Sequence, residues 1–315
     1  MNHVVDYHHH VTPPEYVAAM SALGVKGNTG VKFKKFDPEK NVKIMDRVGI
    51  DKAMLSISTP GVYVKDDTTS ARIARIVNEY IRSAIDLFPE RYGGFAALPY
   101  PAEEESLREL EYALDVLKLD GVVLLTNVKD RYVGEPGYDE LFCELNKRHA
   151  LVFFHPEDFQ MHGDAYLPIT LTFERVLSTV RAGYNLLLNG YLDRFPDIRF
   201  IFAHGGGGLP VMARRVVDEY IKRHDLPADQ KIIDEKLSLF RKCFYDTAQR
   251  GASILHSLAV FCGTDHVVFG SDLPYQAPME TKMIRKAIDD YEGLSSEERQ
   301  AIYAGSAVTG LVSPS

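Results

Sequence analysis

Short apolar runs alternate along this chain with longer stretches whose apolar positions recur every three or four residues. The runs are His3–Tyr7, Lys52–Ser58, Tyr92–Leu98, Gly121–Leu125, Leu151–Phe154, Arg199–Ala203, Cys243–Asp246 and Val267–Gly270. Most are rich in Val, Ile, Leu, Phe or Tyr, the composition of strands buried on both faces of a parallel sheet. Between them lie amphipathic helices. Asp67–Leu87 sets Ile73, Ile76, Val77, Tyr80, Ile81 and Ile85 on one stripe, and Glu103–Leu117 does the same with Leu107, Leu110, Leu114 and Leu117. After Gly205–Gly208, Pro210 suits the first turn of a helix running toward Tyr220. Eight such strands, most followed by a helix, predict an α/β fold of the (β/α)8 barrel type. An open doubly wound sheet is the alternative, because counting does not establish closure. No linker or internal repeat divides the chain, so residues 1–315 are expected to form one domain. The longer connections Ser21–Pro38 and Glu157–Thr172 would then lie on the strand-end face, where barrels carry their catalytic loops.

Titratable residues gather at the ends of these runs. Asp6-Tyr7-His8-His9-His10 closes the first. Alternation along a strand sends His8 and His10 to one side with Asp6 in the same register, while Tyr7 and His9 face the helices. Two imidazoles so placed can clasp a metal ion. A run of histidines alone is more often inert. Here, however, His155 closes the fifth run, His204 closes the sixth just before four glycines, and Asp272 follows the eighth. Each by itself is readable as a buried polar residue or, for Asp272, a helix cap. In a barrel all of them converge on one end of the axis, and that convergence favours a single site.

Taken in order, D-x-H-x-H at Asp6–His10, F-H-P at Phe154–Pro156, A-H-G-G-G at Ala203–Gly207, Y-D-T-A at Tyr245–Ala248 and F-G-S-D-x-P-Y at Phe269–Tyr275 resemble the amidohydrolase superfamily. The branch is the one typified by aminocarboxymuconate-semialdehyde decarboxylase. Leu192–Phe200 also matches, and the likeness spans essentially the whole chain. The resemblance implies that His8, His10, His155 and Asp272 hold one divalent metal ion, zinc first and manganese second. It makes His204 the acid/base beside that ion, with Asp272 sharing the proton chemistry, and it implies a homodimer. Binuclear relatives carry a lysine at the end of the fourth strand; here no lysine appears until Lys129, which points to one ion.

The resemblance also implies the reaction: non-oxidative decarboxylation of a small aromatic or unsaturated carboxylic acid. Hydrolysis of a lactone or amide is the alternative on the same five residues, and a metal-binding scaffold without catalysis is a third reading. The decarboxylase that typifies the branch has a W-D-P-E-x-R-like segment whose Arg binds a substrate carboxylate. Here the segment reads Phe36-Asp37-Pro38-Glu39-Lys40-Asn41, so Lys35, Lys40 or Arg215 becomes the candidate cation. Tyr63, Phe159, Tyr166 and Tyr275 are candidates for an aromatic wall, with Phe159 and Tyr275 the preferred substrate contacts, whereas His162 and His256 fall away from strand ends.

The resemblance implies a small-molecule carboxylate as partner, and composition argues against other classes. A formal charge of −8, with no basic cluster beyond Lys32–Lys35, argues against nucleic acid. No apolar stretch approaches the ~18 residues of a membrane span, and no secretory leader is expected at the N-terminus. Three cysteines make no disulfide framework and fit a reducing cytoplasm.

Overall fold

The computed structural model describes residues 3–28, 31–129, 131–157, 174–249 and 251–309. Eight strands lie side by side in chain order: β1 (Val5–Val11), β2 (Lys52–Ile57), β3 (Tyr92–Ala97), β4 (Gly121–Leu125), β5 (Leu151–His155), β6 (Arg199–Phe202), β7 (Phe244–Asp246) and β8 (Val267–Val268). All pairings between them are parallel. β8 is only two residues long, and the ring is completed beyond it. There the Tyr7 amide donates to the Phe269 carbonyl (2.9 Å), the Asp272 amide to His8 (2.8 Å) and the His10 amide to Leu273 (2.7 Å). This is the predicted (β/α)8 barrel rather than an open sheet.

Most strand boundaries fall within one residue of the apolar runs, and β8 ends two residues short of its run. β1 continues past its apolar run to Val11, through all three histidines, which the sequence places on the strand. The helix from Glu103 is α-helical only to Glu111 and then widens into a π turn, Tyr112–Val116.

Side chains from alternate positions fill the barrel. Phe95 stacks on Phe153 at 5.6 Å, and Phe153 meets the His8 ring edge-on at 5.0 Å, making an aromatic floor beneath the histidines. On the opposite face of β5 and β6, Phe154 stacks with Phe200 and Phe202 at 5.4 and 5.3 Å, toward the helices. The helix Pro38–Val48 is capped by the Asp37 carboxylate at its start and by Gly49 in the left-handed region at its end. The connections on the strand-end face include two-stranded ribbons at Gly27–Asn28 with Val31–Lys32 and at Asn127–Val128 with Arg131–Tyr132.

Candidate metal centre

β1 carries His8 and His10 inward, β5 brings His155, and the turn beyond β8 brings Asp272. One donor atom from each lies within 4.8 Å of the others, and all four residues are buried. The protons in this cluster are fixed by its surroundings. His8 Nδ1–H donates to Asp246 Oδ2 at 2.7 Å, which turns Nε2 toward the site as the nitrogen that ligates in the neutral ring. Nε2 faces His10 Nε2 at 3.0 Å. His10 in turn has Nδ1 beside the Ser56 carbonyl (3.4 Å) and Ser56 Oγ (3.2 Å), so its Nε2 is also free to ligate. Asp272 Oδ1 completes the group, 3.4 Å from His8 Nε2 and 3.1 Å from His10 Nε2. His155 Nδ1 is buried with no hydrogen-bond partner among the described residues. Three imidazole nitrogens and a carboxylate converge on one point, and a divalent cation could take the place of the proton held there, so the residues fit a divalent metal.

The electrostatics agree. Burial disfavours a charge on His8, yet Asp246 and Asp272 on either side raise its pKa to about 10 in the metal-free protein. Burial holds His10 down at about 4 and pushes His155 well below the usual histidine range, with neighbouring imidazoles adding to the effect. Burial opposes ionisation of Asp272, but His8, His10 and His204 keep it well below the usual carboxylate range. Burial thus keeps His10 and His155 neutral and the imidazoles keep Asp272 ionised, the forms in which each can ligate.

His204 stands outside the four donors. Its Nε2 lies 3.4 Å from Asp272 Oδ2, and its ring centroid is 4.9 Å from that of His8. Unlike His8 and His10 it is partly accessible, at 9% exposed against 0%. It has a φ of +54°, in the left-handed region, and so does Asp272 at +60°. Asp246 holds this corner: Oδ1 accepts the backbone N–H of His204 (2.8 Å) and of Ala248 (2.9 Å). The glycines that follow allow close packing, since a Cβ on Gly207 would sit 2.3 Å from the Val176 carbonyl.

One expectation is corrected. Asp6 does not share the inward register of His8 and His10. Between Asp6 and His9, β1 advances three residues while β2 advances two, from Ala53 to Leu55. This one-residue bulge breaks the alternation. Asp6 accepts instead from Ser271 Oγ (2.5 Å), the Ser271 amide (2.9 Å) and the His9 ring (2.8 Å), bracing the turn that carries Asp272. His9 faces Asn41 on the helix Pro38–Val48, as expected.

The proposed substrate contacts fare unevenly. The Tyr275 ring meets His10 edge-on at 5.5 Å, at the site. Arg215 is exposed on the helix Leu209–Arg223, and Lys35 and Lys40 are exposed too. Phe159, Tyr166 and His162 lie outside the described residues. Tyr63 donates to Asp67 at the rim, and His256 pairs with Tyr291 away from the site. Sequence reasoning missed two supporting residues. Asp246 closes β7 within Tyr245–Ala248, as the other site residues close their strands, and that position is the signal that was available. Ser56 gives no such signal.

A closed parallel barrel with buried imidazoles and a carboxylate gathered at its strand ends defines the class: an enzyme barrel built around a site for a divalent cation. The family model described as amidohydrolase matches residues 5–309, and the chain belongs to that family. It is 32% identical over 319 residues to the 6-methylsalicylic acid decarboxylase acuB of Aspergillus aculeatus, covering 98% of this chain and 93% of that protein. The crystal structure of an amidohydrolase II superposes with a TM-score of 0.87 at 24% identity, covering 97% of this chain and 99% of that one. A dihydroxybenzoic acid decarboxylase from Polaromonas, solved with manganese and 2-nitroresorcinol, gives a TM-score of 0.77 at 20% identity, with 99% and 98% covered.

Proposed function

We propose that this protein is a metal-dependent carboxy-lyase that removes carbon dioxide non-oxidatively from a small aromatic or unsaturated carboxylic acid. The observation that carries the reading is a buried His8–His10–His155–Asp272 donor set with His204 placed beside it yet outside it. The relative that acts on 6-methylsalicylic acid, matched over 98% of this chain, supports the substrate class. His8, His10, His155 and Asp272 are the ligands of one ion. Three imidazoles and one carboxylate suit zinc, and manganese, present in the Polaromonas enzyme, is the second choice. When bound, such a cation would supply Lewis-acid stabilisation to the substrate's anionic oxygens.

The remaining work falls to the chain itself. Asp246 keeps the His8 proton on Nδ1 and anchors the backbone of His204. His204 delivers a proton to the ring carbon that bears the carboxylate, with Asp272 Oδ2 steadying the imidazolium from which it comes. The bond to the carboxylate carbon then breaks, its electron pair returns to the ring, and carbon dioxide leaves. A solvent proton restores His204, so each turnover consumes one proton. Tyr275 serves as a wall for the planar substrate.

A homodimer is supported by exposed apolar residues on adjoining helices around Arg215: Leu177 (46% exposed), Val211 (78%) and Met212 (38%). Arg215, exposed on the same helix, stays the proposed cation for a substrate carboxylate. Three free cysteines fit a reducing compartment such as the cytoplasm. No described helix is long and apolar enough to cross a membrane. The function is tested by incubating zinc- or manganese-loaded protein with a panel of hydroxybenzoates and measuring carbon dioxide. Release from at least one acid is expected. Opening of lactones or amides without carbon dioxide would replace this reading by the hydrolase, and a fully metallated protein inert to both panels would leave the scaffold.

A further inference from the structure

We infer that a small apolar pocket at the carboxyl ends of β2, β3 and β4 receives one methyl-sized substituent of the substrate ring, and so selects a mono-acid carrying a small alkyl group. The inference rests on the decarboxylase reading and adds the shape of the substrate to it. Ile57, Val62, Leu98, Val123 and Leu125, with the ring of Tyr100, line this cavity. Its free volume is about 20 Å³, room for a single methyl- or water-sized group.

The pocket borders the donor set through the sheet register. Leu125 pairs with His155 across β4 and β5, and Val123 pairs with Phe153, whose ring touches His8. Ile57, paired with Val11 beyond the histidines, closes the pocket at the end of β2. Paired residues on parallel neighbours face the same side, so Val123 and Leu125 point into the barrel with Phe153 and His155. Adjacent strands lie about 4.8 Å apart, a step that an aromatic ring spans. A ring whose carboxylate sits at the histidines therefore reaches the pocket with its edge.

The walls are firm and uncharged. Tyr100 stacks on Tyr138 at 4.2 Å, and Gly61 approaches so closely that a Cβ there would lie 2.7 Å from Leu125 Cδ1. Lys129 is at the rim with its ammonium 4.6 Å from the centre of the Tyr63 ring, and Arg131 lies over Tyr138 on the far side of Tyr100. Asn41 occupies the place where the family's namesake has a carboxylate-binding Arg, and it is buried against His9 and the Tyr92 hydroxyl. A second carboxylate on the ring thus meets aliphatic carbon in this pocket, which is costly to leave unpaired, whereas a methyl group fills it.

The test compares kcat/KM for 2-hydroxybenzoate, each of its monomethyl isomers, and isopropyl, hydroxyl and carboxylate groups at the best methyl position. One methyl isomer is expected to exceed the parent about tenfold or more, and the isopropyl and carboxylate compounds to fall to the parent's level or below. Leu125→Ala, checked for fold by circular dichroism and for metal content, should raise the isopropyl-to-methyl ratio at least about fivefold; if it does not fold, the series on the natural protein still decides. Methyl isomers all within about threefold of the parent, or preference for hydroxyl or carboxylate at that position, would overturn the pocket while the decarboxylase stands. Carbon dioxide from none of these acids would overturn the decarboxylase reading and the pocket with it.

Discussion

Asp246→Asn isolates the support of the metal centre from its ligands. In the native site the carboxylate does two jobs: Oδ2 accepts from His8 Nδ1 at 2.7 Å, and Oδ1 accepts from the His204 and Ala248 amides at 2.8 and 2.9 Å. Asn has nearly the same shape but only one acceptor oxygen. If that oxygen keeps the two amides, the amide nitrogen faces His8 Nδ1, and donor meets donor. His8 then moves its proton to Nε2, which removes the lone pair aimed at the metal position. Asp246 is fully buried, so water does not take over the missing acceptor. Replacing a group that orients a metal ligand typically costs 10–100-fold in affinity, about 1.4–2.7 kcal/mol. The loss is expected near the upper end, because the same change removes a buried negative charge 2.7 Å from His8. Affinity is read by competition with a chelator of known zinc affinity, and kcat is read separately at saturating metal. Turnover should stay reduced even when the site is full, since the anchor of His204 is weakened too. An affinity within about threefold of the natural protein would refute the tautomer argument.

Four further outcomes follow from the same geometry. His155→Ala should lose the ion, whereas His204→Ala should keep about one ion per chain and lose turnover; activity in metallated His204→Ala would remove the acid/base assignment. His204→Gly should be equally inactive yet more stable than His204→Ala by about 1 kcal/mol, because glycine accepts the +54° backbone angle without strain, and urea denaturation distinguishes the two. Gly305→Ala should destabilise by about 3 kcal/mol, since the new Cβ would lie 2.3 Å from Tyr7 Cε2 at a backbone φ of +62°, and an unchanged thermal midpoint would contradict the packing described. Val211→Asp should turn a dimer into a monomer in sedimentation velocity, while a monomeric natural protein would remove the proposed assembly.

The barrel was legible because each of its strands is buried on both faces and therefore reads as an unbroken apolar run. The exceptions have physical reasons. β1 extends through His8, His9 and His10 because its ladder is made by backbone groups and its polar side chains are satisfied inside, so the strand outlasts its apolar run. β8 shrinks to two residues because the chain then turns through Gly270 and Asp272, even as its amides go on pairing with β1. The five polar residues of the site stood out because each closes a run. Asp6 was misread because alternation assumes a regular ladder, and a bulge leaves no mark in a single sequence. The apolar pocket was invisible for a different reason. Val62, Leu98 and Leu125 are unremarkable core residues one by one, and only closure of the sheet brings them beside His155.

Strain is placed where the proton chemistry is. His204 and Asp272 both adopt left-handed backbone angles that cost a non-glycine residue about 1–2 kcal/mol, and each is held there by the element next to it. The His204 amide is tied to Asp246 at the end of β7, and the Asp272 amide to the His8 carbonyl on β1. The same two anchors serve the donor set: Asp246 fixes the His8 tautomer, and His8 contacts Asp272. A relaxed backbone at either position would swing its side chain off the shared centre and release the strain together. The ligand cluster and the acid/base beside it are therefore one mechanical unit, braced across the seam where β1 meets the turn beyond β8, and Asp6 locks that seam by accepting from Ser271. Ordered geometry in metal-free protein is the consequence: the cation enters a site that the fold has already shaped, instead of assembling it.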